Sequence, residues 1–249
     1  MGARSAWGQR IGNAIRASLP ARCAVCGVWP HGPLCPPCRR ELAPLVPRCP
    51  GCALPAADTR PCAVCQATPP PWRRVHARLD YVHPWRALVL GLKGAGGSGW
   101  AQVLAPLWLD DPAVPTLLAD ADAWLPVPLS PARLAQRGHN QAWTLMQALA
   151  RQHPTPAALP EALQRAADAP VLHHLGRAQR LAATDHLMHV PPAQRHAVQG
   201  RHVLVVDDVM TTGATLTAAT RALLDAGAAA VSALVLARTP APDDAGAAA

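Results

Sequence analysis

The sequence predicts an α/β fold, a parallel sheet with helices on both faces, preceded by a small cysteine-rich domain. Three observations carry this expectation. Val203, Leu204, Val205 and Val206 are four consecutive branched apolar residues, the pattern of a strand buried on both faces. A short loop follows, and then Leu216, Ala219, Leu223 and Leu224 recur at helical spacing, with Gly227 as the stop. All eight cysteines lie between residues 23 and 65, where prolines outnumber leucines.

Residues 1–22 carry Arg4, Arg10, Arg16 and Arg22 but no continuous apolar stretch, which does not fit a secretory signal. Ile11, Ile15 and Leu19 suit a short amphipathic helix docked on the body of the protein. A transit peptide would have the same composition. No apolar run reaches the 18 residues expected of a membrane span.

The cysteines form four CxxC pairs: Cys23/Cys26, Cys35/Cys38, Cys49/Cys52 and Cys62/Cys65, with 8, 10 and 9 residues between pairs. A two-residue gap lets both thiolates of a knuckle face one tetrahedral ion, and two knuckles complete a Cys₄ site. Four pairs with no cysteine left over imply two structural Zn²⁺ ions. A reducing, cytoplasmic compartment is expected, which argues against a disulfide framework. Sequential and crossed pairing of the knuckles both satisfy the spacing; sequential pairing is the simpler. With so few large apolar residues, this region depends on metal for its order, since a structural zinc supplies roughly 10–16 kcal/mol. We expect a double zinc ribbon over residues 20–68, serving as scaffold or partner surface, a body over 72–240 and a disordered tail over 241–249.

Pro69, Pro70 and Pro71 mark the linker. Val75, Ala77, Leu79 and Tyr81 alternate with polar residues as a half-exposed strand, and a helix should run from Pro84 to Leu92. The glycine-rich run from Gly94 to Gly99 is too irregular for a nucleotide fingerprint and reads as a mobile loop. Trp124, Leu125, Pro126 and Val127 form a short strand, after which Ser130 caps a helix with Pro131 at its first position. Arg137, Gly138, His139, Asn140 and Gln141 read as a polar loop ahead of the helix of Leu145, Met146 and Leu149. The stretch from Arg165 to Arg180 is basic and shows no metal-ligand spacing. Val231 to Ala237 is a further apolar strand.

The chemistry concentrates after Val206. Asp207 and Asp208 are followed by Val209, Met210, Thr211, Thr212, Gly213, Ala214 and Thr215. A small-residue loop at a helix start presents backbone N–H groups and the positive end of the helix dipole to an anion, and three threonine hydroxyls can add hydrogen bonds. The carboxylates accept sugar hydroxyls and repel phosphate, so they belong at the sugar end of a ribose 5-phosphate ligand. A P-loop is excluded, because no GKS or GKT follows a glycine.

The stretch from Val203 to Thr215 resembles the phosphoribosyl pyrophosphate (PRPP) signature of the type I phosphoribosyltransferases at all 13 positions. The whole layout, with CxxC knuckles, Tyr81, Lys93-Gly94, PVPLS at 126–130 and RGxNQ at 137–141, resembles the ComF/GntX family. That resemblance implies a type I phosphoribosyltransferase-like parallel sheet and an association with natural competence, competence proteins and single-stranded DNA. It places Asp207 and Asp208 on ribose hydroxyls and the loop from Val209 to Thr215 on the 5-phosphate. Val127, Pro128, Leu129, Ser130 and Arg137 take the diphosphate, with Mg²⁺ brought in by PRPP. His139 stands where an aromatic residue is usual, and Leu172, Ala183 and Met188 stand where Gln, Asn and Phe are common. Those departures bear on lid closure and catalysis, not on phosphate binding. Thr211 occupies the place of the aspartate base of purine-salvage relatives, which argues against a 6-oxopurine acceptor. Three functions fit: a DNA-uptake accessory retaining a PRPP site, an active transferase, or a PRPP sensor without chemistry.

The formal charge of +8 and pI near 9.6 suggest nucleic acid at first sight. Residues 1–70 hold eight arginines against Glu41 and Asp58, and so most of the excess. Eight thiolates and two Zn²⁺ bring the chain to about +4. Arg39, Arg40, Arg73 and Arg74 are the adjacent pairs best placed for a sequence-tolerant phosphate contact.

Overall fold

The computed structural model describes residues 21–30, 32–94, 96–154, 156–165 and 188–241. The expected helix over residues 11–19, the basic stretch from Arg165 to Arg180 beyond its first residue, Leu172 and Ala183, and the tail from 242 lie outside them.

The chain divides into two compact units, Met1–Pro44 and Leu45–Ala249. One pair of knuckles falls in each unit. In the first unit, Cys23, Cys35 and Cys38 are themselves the buried cluster, with Val25 and Leu34 packed on it, and helix α1 (Pro36–Leu42) follows the second knuckle. The third and fourth knuckles belong to the larger unit for a physical reason. Ala53, between them, joins Trp72 and the sheet residues in one core.

The larger unit runs α2 (Ala63–Ala67), β1 (Arg74–Asp80), α3 (Trp85–Gly91), α4 (Gly97–Leu104), α5 (Pro106–Leu109), α6 (Ala113–Ala119) and β2 (Ala123–Pro126). Then come α7 (Pro131–Arg137), α8 (Gln141–Ala150), β3 (Gln164–Arg165), β4 (Met188–His189), α9 (Arg195–Val198), β5 (His202–Met210), α10 (Ala214–Asp225) and β6 (Ala230–Arg238). β1, β6, β5 and β2 form a four-stranded sheet in that order, every pair parallel. β3 and β4 pair antiparallel as a separate two-stranded ribbon.

Val203, Leu204, Val205 and Val206 are fully buried, as their continuous apolar run requires of a central strand covered on both faces. α10 contributes Leu216, Ala219 and Leu223 to the core that contains Val203, Val205 and Val235, and α8 packs on β5 and β2. Each large apolar side chain contributes about 1.5–3 kcal/mol on burial. The outer edge of β2 is covered by a short stretch that exchanges Trp124 N→Ala157 O and Leu159 N→Trp124 O, both 2.8 Å. On β1, the Val75 amide donates to Pro50 O at 2.8 Å.

Two expectations need correction. The strand does not end at Val206. β5 continues through the acidic pair to Met210, because β6 is long enough to pair with it as far as Met210↔Arg238. Nor is the run from Gly94 to Gly99 loop throughout: Gly97 to Gly99 are the first residues of α4, and Gly97 is buried. A Cβ at Gly97 would strike the His139 ring and the Leu92 carbonyl, so the glycine is required by close approach.

Because all four strands are parallel, their carboxyl ends lie at one edge. Tyr81, Val127, Thr211 and Arg238 are thereby gathered there, where open α/β sheets bind ligands.

Candidate functional site

Each set of four cysteines converges. Cys23, Cys26, Cys35 and Cys38 form one group, Cys49, Cys52, Cys62 and Cys65 the other, with all Sγ atoms of a group within 4.8 Å of one another. Pairing is therefore sequential. The Cys26–Cys35 and Cys52–Cys62 sulfurs are 3.6 and 3.9 Å apart; a tetrahedral Zn²⁺ with bonds of about 2.3 Å separates its sulfurs by about 3.8 Å. The donor set and spacing fit one zinc ion per group. Burial opposes the Cys23 thiolate, yet hydrogen bonds with the backbone at Cys26, Cys35 and Val25 bring its pKa down to about 6. At Cys49, burial is likewise outweighed by backbone hydrogen bonds at Cys62, Cys52 and Gly51, and its pKa falls to about 7. Burial and the neighbouring sulfurs push Cys38 and Cys65 upward. One thiolate forms readily in each group and resists the next, a conflict that a dication removes.

At the carboxyl edge of the sheet lies a cavity of about 230 Å³. Asp207, Asp208 and Val209 from β5, Thr211 and Thr215 from the loop and α10, and Val127, Pro128 and Leu129 after β2 all face it. So do Tyr81, Lys93, Arg133, Arg137, Gln141 and Arg165. The two segments that the sequence placed on the ribose phosphate and the diphosphate thus share one cavity.

Asp207 and Asp208 are both buried. The Asp208 amide donates to Asp207 Oδ1 at 2.8 Å. Gln141 Nε2 donates to Asp208 Oδ1 at 3.3 Å, and Lys93 Nζ lies 3.4 Å from Asp208 Oδ2. The Lys93 contact is an ion pair without hydrogen-bond geometry, leaving Asp208 Oδ2 as a buried acceptor with no hydrogen-bond donor among the described residues. A hydroxyl or a hydrated cation would satisfy it. Burial, then the adjacent Asp208 charge, hold the Asp207 pKa well above its usual value.

The loop explains the remaining small residues. Gly213 has φ +83° and precedes α10, a left-handed conformation that costs other residues about 1–2 kcal/mol. Thr212 Oγ1 accepts from the Ala214 amide at 3.4 Å, so its hydroxyl is engaged within the turn, whereas Thr211 and Thr215 line the cavity. Met210 is buried in the core. Ser130 Oγ accepts from Arg133 N at 3.4 Å as the cap of α7.

The polar loop 137–141 is a positioning device. Asn140 Oδ1 caps α8 through the Ala142 and Trp143 amides, while its Nδ2 donates to Val127 O at 2.9 Å. Arg137 Nη1 donates to Gln141 Oε1 at 3.1 Å. His139 sits 2.8 Å from Leu92 O and 3.1 Å from Arg137 O, tying the segment that carries Lys93 to this loop. Sequence reasoning gave no site role to Tyr81, Lys93, Arg133, Gln141 or Arg165, all of which line the cavity. Arg133 and Gln141 open α7 and α8, close behind the loop of Val127 to Leu129, and that closeness was the available signal.

This arrangement defines the class: a phosphoribosyltransferase-like domain accompanied by two Cys₄ groups. Residues 176–245 match the family described as Phosphoribosyl transferase domain. Across 230 residues, covering 89% of this chain and 99% of the relative, the chain is 34% identical to DNA utilization protein YhgH of Salmonella typhimurium. It is 33% identical over 238 residues to the protein of the same name from Escherichia coli K12, again covering 89% and 99%. The chain belongs to the ComF/GntX family.

Purified under reducing conditions, the protein should contain two zinc ions per chain. Cys26→Ser should remove about one of them, read by elemental analysis. Metal-free reduced protein would contradict the fit of both sulfur groups.

The raised pKa of Asp207 also has a sign. The folded chain holds the proton more tightly than the unfolded one. Stability therefore falls as pH rises from the ordinary value of 3.8 through the raised folded value, and the cost of the buried charge is complete above it. Asp207→Asn cannot ionise. In urea titrations free of divalent cations it should be more stable than the parent at pH 8, with the advantage shrinking toward pH 4. A pH-independent difference would refute this.

Proposed function

We propose that the cavity binds PRPP, or a related ribose 5-phosphate ligand, with Mg²⁺ carried in by the diphosphate. The observation that carries this reading is the meeting of opposite charges in one small cavity. Two carboxylates from β5 stand beside a hydroxyl-bearing helix start, with Lys93, Arg133, Arg137 and Arg165 around them. Asp207 and Asp208 take the ribose hydroxyls. Thr211, Thr215 and the backbone from Val209 to Ala214 take the 5-phosphate, where the N-terminal end of α10 favours negative charge. Val127, Pro128, Leu129 and Arg137 take the diphosphate. Ser130 supports them from its cap.

In the cell we assign the protein to DNA handling, as an accessory that keeps this ligand site. The name carried by its relatives, DNA utilization protein, supports that assignment. Reduced thiols in both Cys₄ groups suit a reducing cytoplasm, and among the described residues no helix is long and apolar enough to cross a membrane. DNA contact would run through phosphates. Arg74 is an unsuitable candidate, since its Nη2 holds Asp120 at 2.7 Å; Arg40 and Arg73 are exposed.

Calorimetric titration with PRPP·Mg²⁺ tests the ligand. Binding is expected, and Asp207→Asn combined with Asp208→Asn should abolish it while leaving zinc content and fold intact. Unchanged affinity would reduce the pair to a structural role.

Single-stranded DNA should bind weakly, without sequence preference, with a log–log salt slope near −0.7 per phosphate engaged. Arg40→Ser with Arg73→Ser should flatten that slope by about 0.7 for each phosphate the two arginines hold. An unchanged slope would remove these residues from any DNA surface.

A further inference from the structure

We propose that the second Cys₄ group is the strut of the phosphate loop, and that Trp72 and Arg238 are the positioning residues connecting them. Two independent bridges leave the third knuckle, and both end on the loop. Arg238 closes β6 and is buried. Its Nε donates to Cys52 O at 2.7 Å, while its Nη1 donates to Met210 O at 3.2 Å and to Thr211 O. Trp72 Nε1 donates to Gly51 O at 2.9 Å, and the far edge of its ring lies against Gly213, 3.3 Å from where a Cβ would stand.

The carbonyls receiving these bonds belong to Gly51 and Cys52, inside the Cys49–Cys52 knuckle. Their positions follow from how Cys49 and Cys52 are held to Cys62 and Cys65. The knuckle is tightly closed: a Cβ on Gly51 would lie 2.7 Å from Cys65 Cβ and Sγ. A guanidinium needs its acceptors together, and those acceptors come from the knuckle and from the end of β5. Loosening the metal group moves one side of that set. The carbonyls of Met210 and Thr211 then lose the donor that orients the first peptides of the loop, and Gly213 loses its ring contact. The inference rests on the ribose 5-phosphate role proposed for this loop.

Four single variants separate the possibilities. Cys62→Ser should retain about one zinc and bind PRPP·Mg²⁺ on the order of tenfold more weakly, a typical coupling. Cys26→Ser, in the other compact unit, also loses one zinc and serves as the control, with parental affinity expected. Trp72→Phe keeps the ring but not its N–H, and Arg238→Lys keeps charge but cannot span the carbonyls. Both should keep two zinc ions yet weaken PRPP·Mg²⁺ by a few-fold to about tenfold. Hydrogen exchange supplies a readout that needs no PRPP: amides of residues 211–216 should exchange faster in Cys62→Ser, Trp72→Phe and Arg238→Lys, with the rest of the sheet unchanged. Parental exchange at 211–216 in the two zinc-replete variants would overturn the proposal, even if Cys62→Ser failed to fold. Faster local exchange in these variants, with a parent that does not bind PRPP, would support the strut and refute the ligand.

Discussion

β5 and β6 stay paired for four residues beyond Val206, through Met210↔Arg238, and the candidate site depends on that extension. A strand ending at Val206 would leave Asp207 and Asp208 in a solvated turn, where carboxylates are cheap and ordinary. Continuing the ladder instead places both in the sheet, buried, facing a cavity at its carboxyl edge. It also sets where the chain leaves the sheet. The loop starts at Thr211, beside the last residue of β6, so that Arg238 can reach the Met210 and Thr211 carbonyls. The positive φ of Gly213 then turns the chain into α10 within three residues.

The electrostatic cost of this geometry is visible. Lys93 and Asp208 at 3.4 Å attract by about 5 kcal/mol at an effective dielectric near 20. Asp208 is buried while Lys93 keeps part of its hydration; desolvation of a buried ion costs several kcal/mol, which offsets much of that attraction. Asp207 has no cation of its own among the described residues and is held toward its protonated form. Such an arrangement is poor as a stabilising device. It is well suited to a ligand that brings hydroxyl donors for the carboxylates and phosphate for Lys93, Arg133, Arg137 and Arg165.

Much of this is legible in the sequence where the signal is local. Four branched apolar residues announce the central strand, Ser130-Pro131 announces α7, and CxxC spacing announces the sulfur groups. The motif residues from Asp207 to Thr215 and from Val127 to Arg137 stand out together, and most of them meet in the cavity. What escapes a local reading is set by distant chain. The length of β5 depends on β6, some 30 residues away. Gly97 looks like part of a loose run because its partner, His139, lies more than 40 residues later. The packing of the second pair of knuckles is set in the same way, since Ala53 and Trp72 join the core of the sheet. Arg238 gives only a weak hint: an arginine ending an apolar strand must find acceptors if it is buried.

The two Cys₄ groups, alike in spacing, have different physical surroundings. In the first unit the described core is cysteine with Val25 and Leu34 beside it, so an ion held by the four thiolates would supply much of the order of these described residues. In the second, Ala53 belongs to the sheet's own core, and the knuckle's carbonyls serve as acceptors for Trp72 and Arg238. An anion-binding loop must be rigid but cannot be anchored by large side chains, because its residues must stay small for backbone amides to approach the ligand. Rigidity has to be imported from behind the loop. A knuckle closed by a metal would provide it, since a structural zinc contributes roughly 10–16 kcal/mol of apparent binding free energy where little apolar area is available. The second group is thus positioned to give the loop what its own composition denies it.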